Sequence, residues 1–234
     1  MAFLIIAPNF VLKYEYGPFL LIPVAPKPSP MRIFAVGRNY VEHIEELNNQ
    51  RPDEPVIFTK PDTALLKNNA PFYYPDFSSD VHHEVELVIR ISKDGKNIVE
   101  KFAHKYYDRI GIGVDFTARD LQSKLKEKGL PWDLAKGFDG SAPISARFIP
   151  VQDFKDVKNI NFHLNVDGVL KQKGNTSLML FPFDYIISYI SRFFTLRVGD
   201  LIFTGTPKGV GPVTIGNLLT AYIENEKLLE FEVR

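Results

Sequence analysis

From residue 31 onward the chain is broken into short runs rich in Val, Ile and Phe, separated by Gly, Pro, Asn and Asp. The clearest are "RIFAVG", "PVIFTK", "VELVIRI", "IGIGVDF", "INFHLNVDG", "DLIFTG" and "LLTAYIE". β-Branched and aromatic residues in runs of this length predict strands. Asp167-Gly168 is a hairpin signal. Three segments read as helices. "NYVEHIEELNN" is short and polar, and "TARDLQSKLKEKG" opens on a Thr-x-x-Asp cap and stops at Gly129. "PFDYIISYISRFF" carries apolar residues at helical spacing and predicts a core helix. Strands outnumber helices and do not alternate with them, which argues against a doubly wound sheet. The expected fold is a β-rich α/β domain of rolled or sandwiched mixed sheets with few helices.

Residues 1–30, "MAFLIIAPNFVLKYEYGPFLLIPVAPKPSP", follow a different rule. The segment is apolar and proline-rich, and its first basic residue is Lys13. Pro8 and Asn9 interrupt the apolar stretch that a signal peptide would need, and a mitochondrial presequence would be rich in Arg, which is absent here. Both apolar runs are too short to span a bilayer. "PVAPKPSP" predicts a stiff extended linker. The expected division is an N-terminal extension over 1–30 and a functional domain over 31–234 that starts at Met31.

Lys plus Arg equals Asp plus Glu at 28 each, so the chain has no electrostatic footprint for nucleic acid or an anionic membrane. With no cysteine, disulfides, thiolate metal sites and a cysteine nucleophile are excluded. A cytoplasmic location is the expectation.

Two patterns point to chemistry. In "VHHEVELVIR", residues 81–90, strand alternation puts Glu84 and Glu86 on one face, roughly 6–7 Å apart along the chain. Either that face is solvated, or a cation sits between the carboxylates. All-oxygen ligation favours Mg²⁺ or Mn²⁺. A third carboxylate is then required, and Asp115 in "GIGVDFTARD", at a strand end, is the best placed. In "GRNYVEHIEE", His43 and Glu46 are three apart and share a helix face. A carboxylate behind an imidazole suits a general base that activates water, although surface pairs at this spacing are common. Lys136, in the loop "GLPWDLAKGFDG", could meet a carboxylate or a developing enolate, but nothing in the pattern separates it from other lysines. The glycines of "FTGTPKGVGP" would let backbone N–H groups approach an anion.

Taken together and in order, "VGRNYVEHIEE", "PVIFTKPDTAL", "HHEVELVI", "GVDFTARDLQ", "GLPWDLAKGFDG", "GNTSLM" and "GDLIFTGTPKGVGP" closely resemble the fumarylacetoacetate hydrolase family, from about residue 31 to the end. The resemblance implies that Glu84, Glu86 and Asp115 are ligands of Mg²⁺ or Mn²⁺. It implies that His43 and Glu46 form a catalytic dyad on a short lid helix, followed by the polar stretch "NNQRPDEP". Arg119, Gln122, Lys136 and Thr206 match substrate-contacting positions, and a homodimer is expected. The small size suggests the acylpyruvase, oxaloacetate decarboxylase or isomerase branch.

The resemblance further implies a C–C hydrolase or decarboxylase of 2-oxo acids such as acetylpyruvate, fumarylpyruvate or oxaloacetate. In that scheme the dyad activates water, and Lys136 helps hold a pyruvate enolate. An isomerase or hydratase of dienoic diacids (2-hydroxyhepta-2,4-diene-1,7-dioate type) is the alternative.

Overall fold

The computed structural model describes residues 31–47 and 50–234, together with three backbone strands of the first thirty residues. The chain divides into two compact units, Met1–Pro30 and Met31–Arg234. In the first, Ile5–Ala7, Phe10–Leu12 and Leu21–Pro23 form an antiparallel three-stranded sheet. The predicted linker 23–30 lies, apart from Pro23, outside the described residues.

The second unit contains β1 (Ile33–Gly37), α1 (Val41–Glu46), β2 (Val56–Lys60), β3 (Val81–His83), β4 (Val85–Ile91) and β5 (Tyr107–Val114). Next come α2 (Arg119–Glu127), α3 (Asp133–Lys136), β6 (Asn161–Val166), β7 (Val169–Asn175) and α4 (Phe183–Phe193). The chain closes with β8 (Leu201–Phe203), β9 (Leu218–Ile223) and β10 (Glu226–Glu232). A six-stranded mixed sheet has the order Ile149–Pro150, β5, β4, β8, β1, β2, with β8 parallel to β1 and the other pairs antiparallel. A four-stranded antiparallel sheet has the order β7, β6, β9, β10.

Both faces of the larger sheet are covered. Leu87, Ile89 and Ile91 of β4 share the main core with Ile110 and Ile112 of β5, with Phe162 and Leu164 of β6, and with Ile186, Ile187 and Ile190 of α4. Val88, on the opposite face of β4, belongs to a smaller core with Ile33, Ala35, Leu201 and Phe203. The acidic side of β4 is therefore buried as far as Val88, and it reaches solvent only at Arg90, which pairs with Asp108. Each of the three α4 isoleucines, fully buried, contributes roughly 1.5–3 kcal/mol.

The hairpin forms where its dipeptide predicts. Asp167 and Gly168 have φ of 51° and 76°, the double positive φ of a type I′ turn. The cap expected of α2 does not form. Ala118 occupies the N-cap position, Thr117 lies in a two-residue strand with Ala118, and no side chain caps the helix. Pairing of Thr117 with His82 removes the threonine from the helix end, so a ladder contact overrides the local capping preference. Asp120 instead accepts from Ser78 Oγ at 2.7 Å.

Candidate active site

The run 81–90 serves two sheets, and the change of partner falls at Glu84. β3 pairs with Thr117–Ala118 and Gly211–Pro212, whereas β4 pairs with β5 and β8. Asp115, the first residue after β5, donates its N–H to the Glu84 carbonyl oxygen at 2.8 Å. Alternation brings Glu84 and Glu86 to one side, and the end of the neighbouring strand brings Asp115 beside them. Oxygens of the three carboxylates lie within 4.8 Å of one another. Exposures of 5%, 2% and 1% rule out a solvated acidic face.

Three buried acids in so small a space require cations. Lys136 Nζ lies 2.7 Å from Glu84 Oε2 and 2.6 Å from Asp115 Oδ2. Lys60 Nζ lies 2.5 Å from Asp115 Oδ1 and donates to the Ser141 carbonyl oxygen at 3.1 Å. Arg119 pairs with Glu84 through Nη2, and its Nη1 donates to Gln122 Oε1 at 2.7 Å. Burial works against ionised Glu84, but Lys136 and Arg119 outweigh it and hold the carboxyl well below its ordinary range. Burial likewise lowers the Lys136 amine, and Asp115 and Glu84 more than reverse this. For Lys60 burial wins and pushes the amine down.

Glu86 is the exception. Among the described residues no Lys, Arg or His forms an ion pair with it, and its hydrogen bond comes from the Gly205 N–H at 2.7 Å. Burial, followed by repulsion from Asp115, pushes its carboxyl well above the ordinary carboxylate range. A buried carboxylate without a counter-cation, beside two more carboxylates, is a donor set that fits a hard divalent ion such as Mg²⁺ or Mn²⁺.

His43 and Glu46 meet as their spacing predicts, with Nδ1 3.2 Å from Oε2. His43 is buried and, with Glu84, Glu86, Asp115, Arg119, Gln122, Lys136 and Thr206, lines one cavity of about 40 Å³. All the predicted site residues except Glu46 therefore line that cavity, and Glu46 stands behind His43. A six-residue helix without a side-chain cap has little stability of its own. α1 is tied down by Gly209, whose N–H donates to Glu46 Oε1 at 3.0 Å. The glycine-rich loop does present N–H groups to anions, and the anions are the protein's own Glu86 and Glu46. His82, adjacent to the acidic strand, turns to Asp80 Oδ1 at 2.9 Å and stays out of the carboxylate cluster. Of the lid stretch, Asn48 and Asn49 lie outside the described residues.

Three residues escaped sequence reasoning. Lys60 ends an apolar strand, where a lysine is ordinarily solvated, yet it is 3% exposed. Asn39 spans Thr204 and Phe181 through three hydrogen bonds to their backbones. Gln172 joins β7 to the acidic strand. Nothing local marks any of them, because all their partners are distant in the chain.

The fold and the site define a mixed-sheet domain with a buried all-carboxylate pocket, an imidazole–carboxylate pair at its wall and cations around it. The family model described as "Fumarylacetoacetate (FAA) hydrolase C-terminal" matches residues 32–234, and the chain belongs to the fumarylacetoacetate hydrolase family. It is 49% identical over 189 residues to a mitochondrial oxaloacetate decarboxylase of Dictyostelium discoideum, covering 80% of this chain and 86% of the relative. It is 43% identical over 201 residues to a mitochondrial oxaloacetate tautomerase of Bos taurus, covering 86% and 90%. Among solved structures, the fumarylpyruvate hydrolase of Pseudomonas aeruginosa in complex with Mn²⁺ and pyruvate superposes with a TM-score of 0.82 at 33% identity, covering 98% and 97%. No helix among the described residues is long and apolar enough to cross a membrane.

Proposed function

We propose that this chain is a divalent-metal-dependent enzyme that cleaves or decarboxylates 2-oxo acids, with acylpyruvates and oxaloacetate as its substrate class. The observation that carries this reading is the buried Glu84–Glu86–Asp115 cluster with the His43–Glu46 pair at the wall of the same cavity. Oxaloacetate in the names of two relatives, and Mn²⁺ with pyruvate in a related structure, support the same chemistry. Charge balance supports it as well. Among the described residues, Lys60, Arg119 and Lys136 pair with Glu84 and Asp115 alone, so with all three acids ionised a divalent cation adds two positive charges that a dianionic ligand would match. Oxaloacetate and the enolate of a 2-oxo acid are dianions.

In this reading Glu84, Glu86 and Asp115 would hold the ion, which would supply Lewis acidity to the bound 2-oxo acid. His43, oriented by Glu46, takes a proton from the water that attacks the distal carbonyl. Lys136 faces the oxygen on which enolate charge develops, while Arg119 and Gln122 orient the carboxylate. Decarboxylation needs the same enolate and no water, so both activities fit one site. A cavity of about 40 Å³ admits a few water-sized groups, so α1 lifts to let a substrate enter. Catalysis is assigned to 31–234, and that unit expressed alone should retain turnover.

The deciding experiment is a panel of acetylpyruvate, fumarylpyruvate and oxaloacetate with Mg²⁺ or Mn²⁺, with and without a chelator. Chelator-sensitive turnover of at least one is expected. Its absence for all three would sink the reading.

A further inference from the structure

Gln172, on β7, is 1% exposed and has no part in the mechanism above, yet its amide makes four hydrogen bonds. Its Oε1 accepts from the Val85 backbone N–H at 2.9 Å, and an N–H can only donate. Its Nε2 donates to the Pro207 carbonyl oxygen at 2.9 Å, which can only accept. Two independent partners thus fix which end of the amide is which. Nε2 must then also donate to Thr206 Oγ1, 2.8 Å away. The Thr206 hydroxyl in turn gives its proton to the Val85 carbonyl oxygen at 2.9 Å, the nearer of its two carbonyl acceptors, the other being that of Pro207 at 3.5 Å. His83 Nδ1, 2.9 Å from Gln172 Oε1, is the protonated nitrogen of its ring.

A hydroxyl has one proton and two lone pairs. Val85 takes the proton and Gln172 one lone pair, so Thr206 keeps a single lone pair and nothing to donate. Thr206 lines the cavity that holds the carboxylate cluster. Lys136 and Arg119, on other walls, can only donate, which suits carboxylate and enolate oxygens. Thr206 offers the opposite polarity without a charge.

We infer that Gln172 is a positioning residue that makes Thr206 an acceptor-only contact, so that the cavity favours the O–H-bearing enol of a 2-oxo acid over its keto form. The inference rests on the 2-oxo acid reading of the site. Without Gln172, the hydroxyl could rotate and donate to a ketone or carboxylate, and the discrimination would be lost.

The test uses the full chain loaded with Mn²⁺ and two probes that differ at one oxygen, lactate with an O–H and pyruvate with a C=O, titrated by calorimetry. Thr206→Val should weaken lactate about five- to tenfold more than pyruvate, the worth of one hydrogen bond, and Thr206→Ser should not. Gln172→Met should lower the lactate-to-pyruvate preference by a similar factor. The double variant should go no further than Thr206→Val alone, because both changes act on one hydroxyl. Mn²⁺ affinity should be unchanged throughout. Equal losses on both probes, additive effects, or a matching loss of Mn²⁺ affinity would make Gln172 merely structural and overturn the inference. Should Gln172→Met fail to fold, an unshifted preference in Thr206→Val overturns it by itself. A wild-type chain that binds Mn²⁺ but neither acid would refute the 2-oxo acid reading and this inference together.

Discussion

Lys136 Nζ lies 2.6 Å from Asp115 Oδ2, inside a cluster of buried acids where a lysine of ordinary surface type would not be found. It also holds Glu84, so one ammonium serves two of the three carboxylates. Lys136→Met therefore strips two acids of a shared partner, at a cost of roughly 3–5 kcal/mol. Turnover should fall by at least about 10²-fold, since the charge proposed to meet the enolate is gone. Mn²⁺ should raise the melting temperature of the variant more than that of the wild type, because the ion then replaces the missing charge. Scanning calorimetry with and without Mn²⁺ checks this, and retained activity would remove Lys136 from the site.

In the proposed mechanism, the contact of His43 with Glu46 separates hydrolysis from decarboxylation. His43→Ala should reduce hydrolysis of acylpyruvates by about 10²–10⁴-fold, the usual worth of a general base. Oxaloacetate decarboxylation should suffer far less, because no water is activated. Mn²⁺ affinity should be unaltered, since His43 lies outside the carboxylate cluster. Parallel assays of both reactions decide it, and unchanged hydrolysis would reject the assigned role.

If Glu86 is a ligand of the proposed ion, it links metal binding to pH. Its carboxyl is raised in the folded protein, so its contribution to stability is complete below the unfolded value of about 4.3 and is lost as pH rises through the raised folded value. A divalent ion that takes the place of the proton should release protons on binding wherever that carboxyl is still protonated. It should also stabilise the protein more as pH increases over that window. Titration of Mn²⁺ in two buffers of different ionisation enthalpy measures the release, and Glu86→Gln should abolish it. Identical heats in both buffers would count against the scheme.

Gly209 holds the dyad from below. Its φ is +94°, and a Cβ there would lie 2.2 Å from the Lys171 carbonyl oxygen, so Gly209→Ala must move the loop. The strain should cost roughly 1–3 kcal/mol. The N–H that anchors Glu46 shifts with it, so kcat for hydrolysis should fall more than the melting temperature alone explains. Steady-state kinetics beside a thermal melt separate the two effects.

The strands and the pairing of acids were legible because each depends on a few consecutive residues. Backbone pleating alone places Glu84 and Glu86 on one side, and 3.6 residues per turn alone brings His43 to Glu46. The capping box at Thr117 failed for the complementary reason, since a sheet partner 35 positions away in sequence, His82, claimed the threonine.

From its residues alone, this chain determined most of the segments that extend or coil and which side chains stand together along one element, because those outcomes follow from local backbone geometry. The strand at Thr117–Ala118 and the short helix Asp133–Lys136 came only with the fold. Tertiary structure alone decided that Lys136 reaches Glu84 across 52 positions, that Lys60 is buried rather than solvated, and that Gln172 spans 87 positions to reach Val85. A lysine or glutamine has the same local preferences in a core as on a surface. Its protonation and the direction of its hydrogen bonds come only from the neighbours that folding supplies.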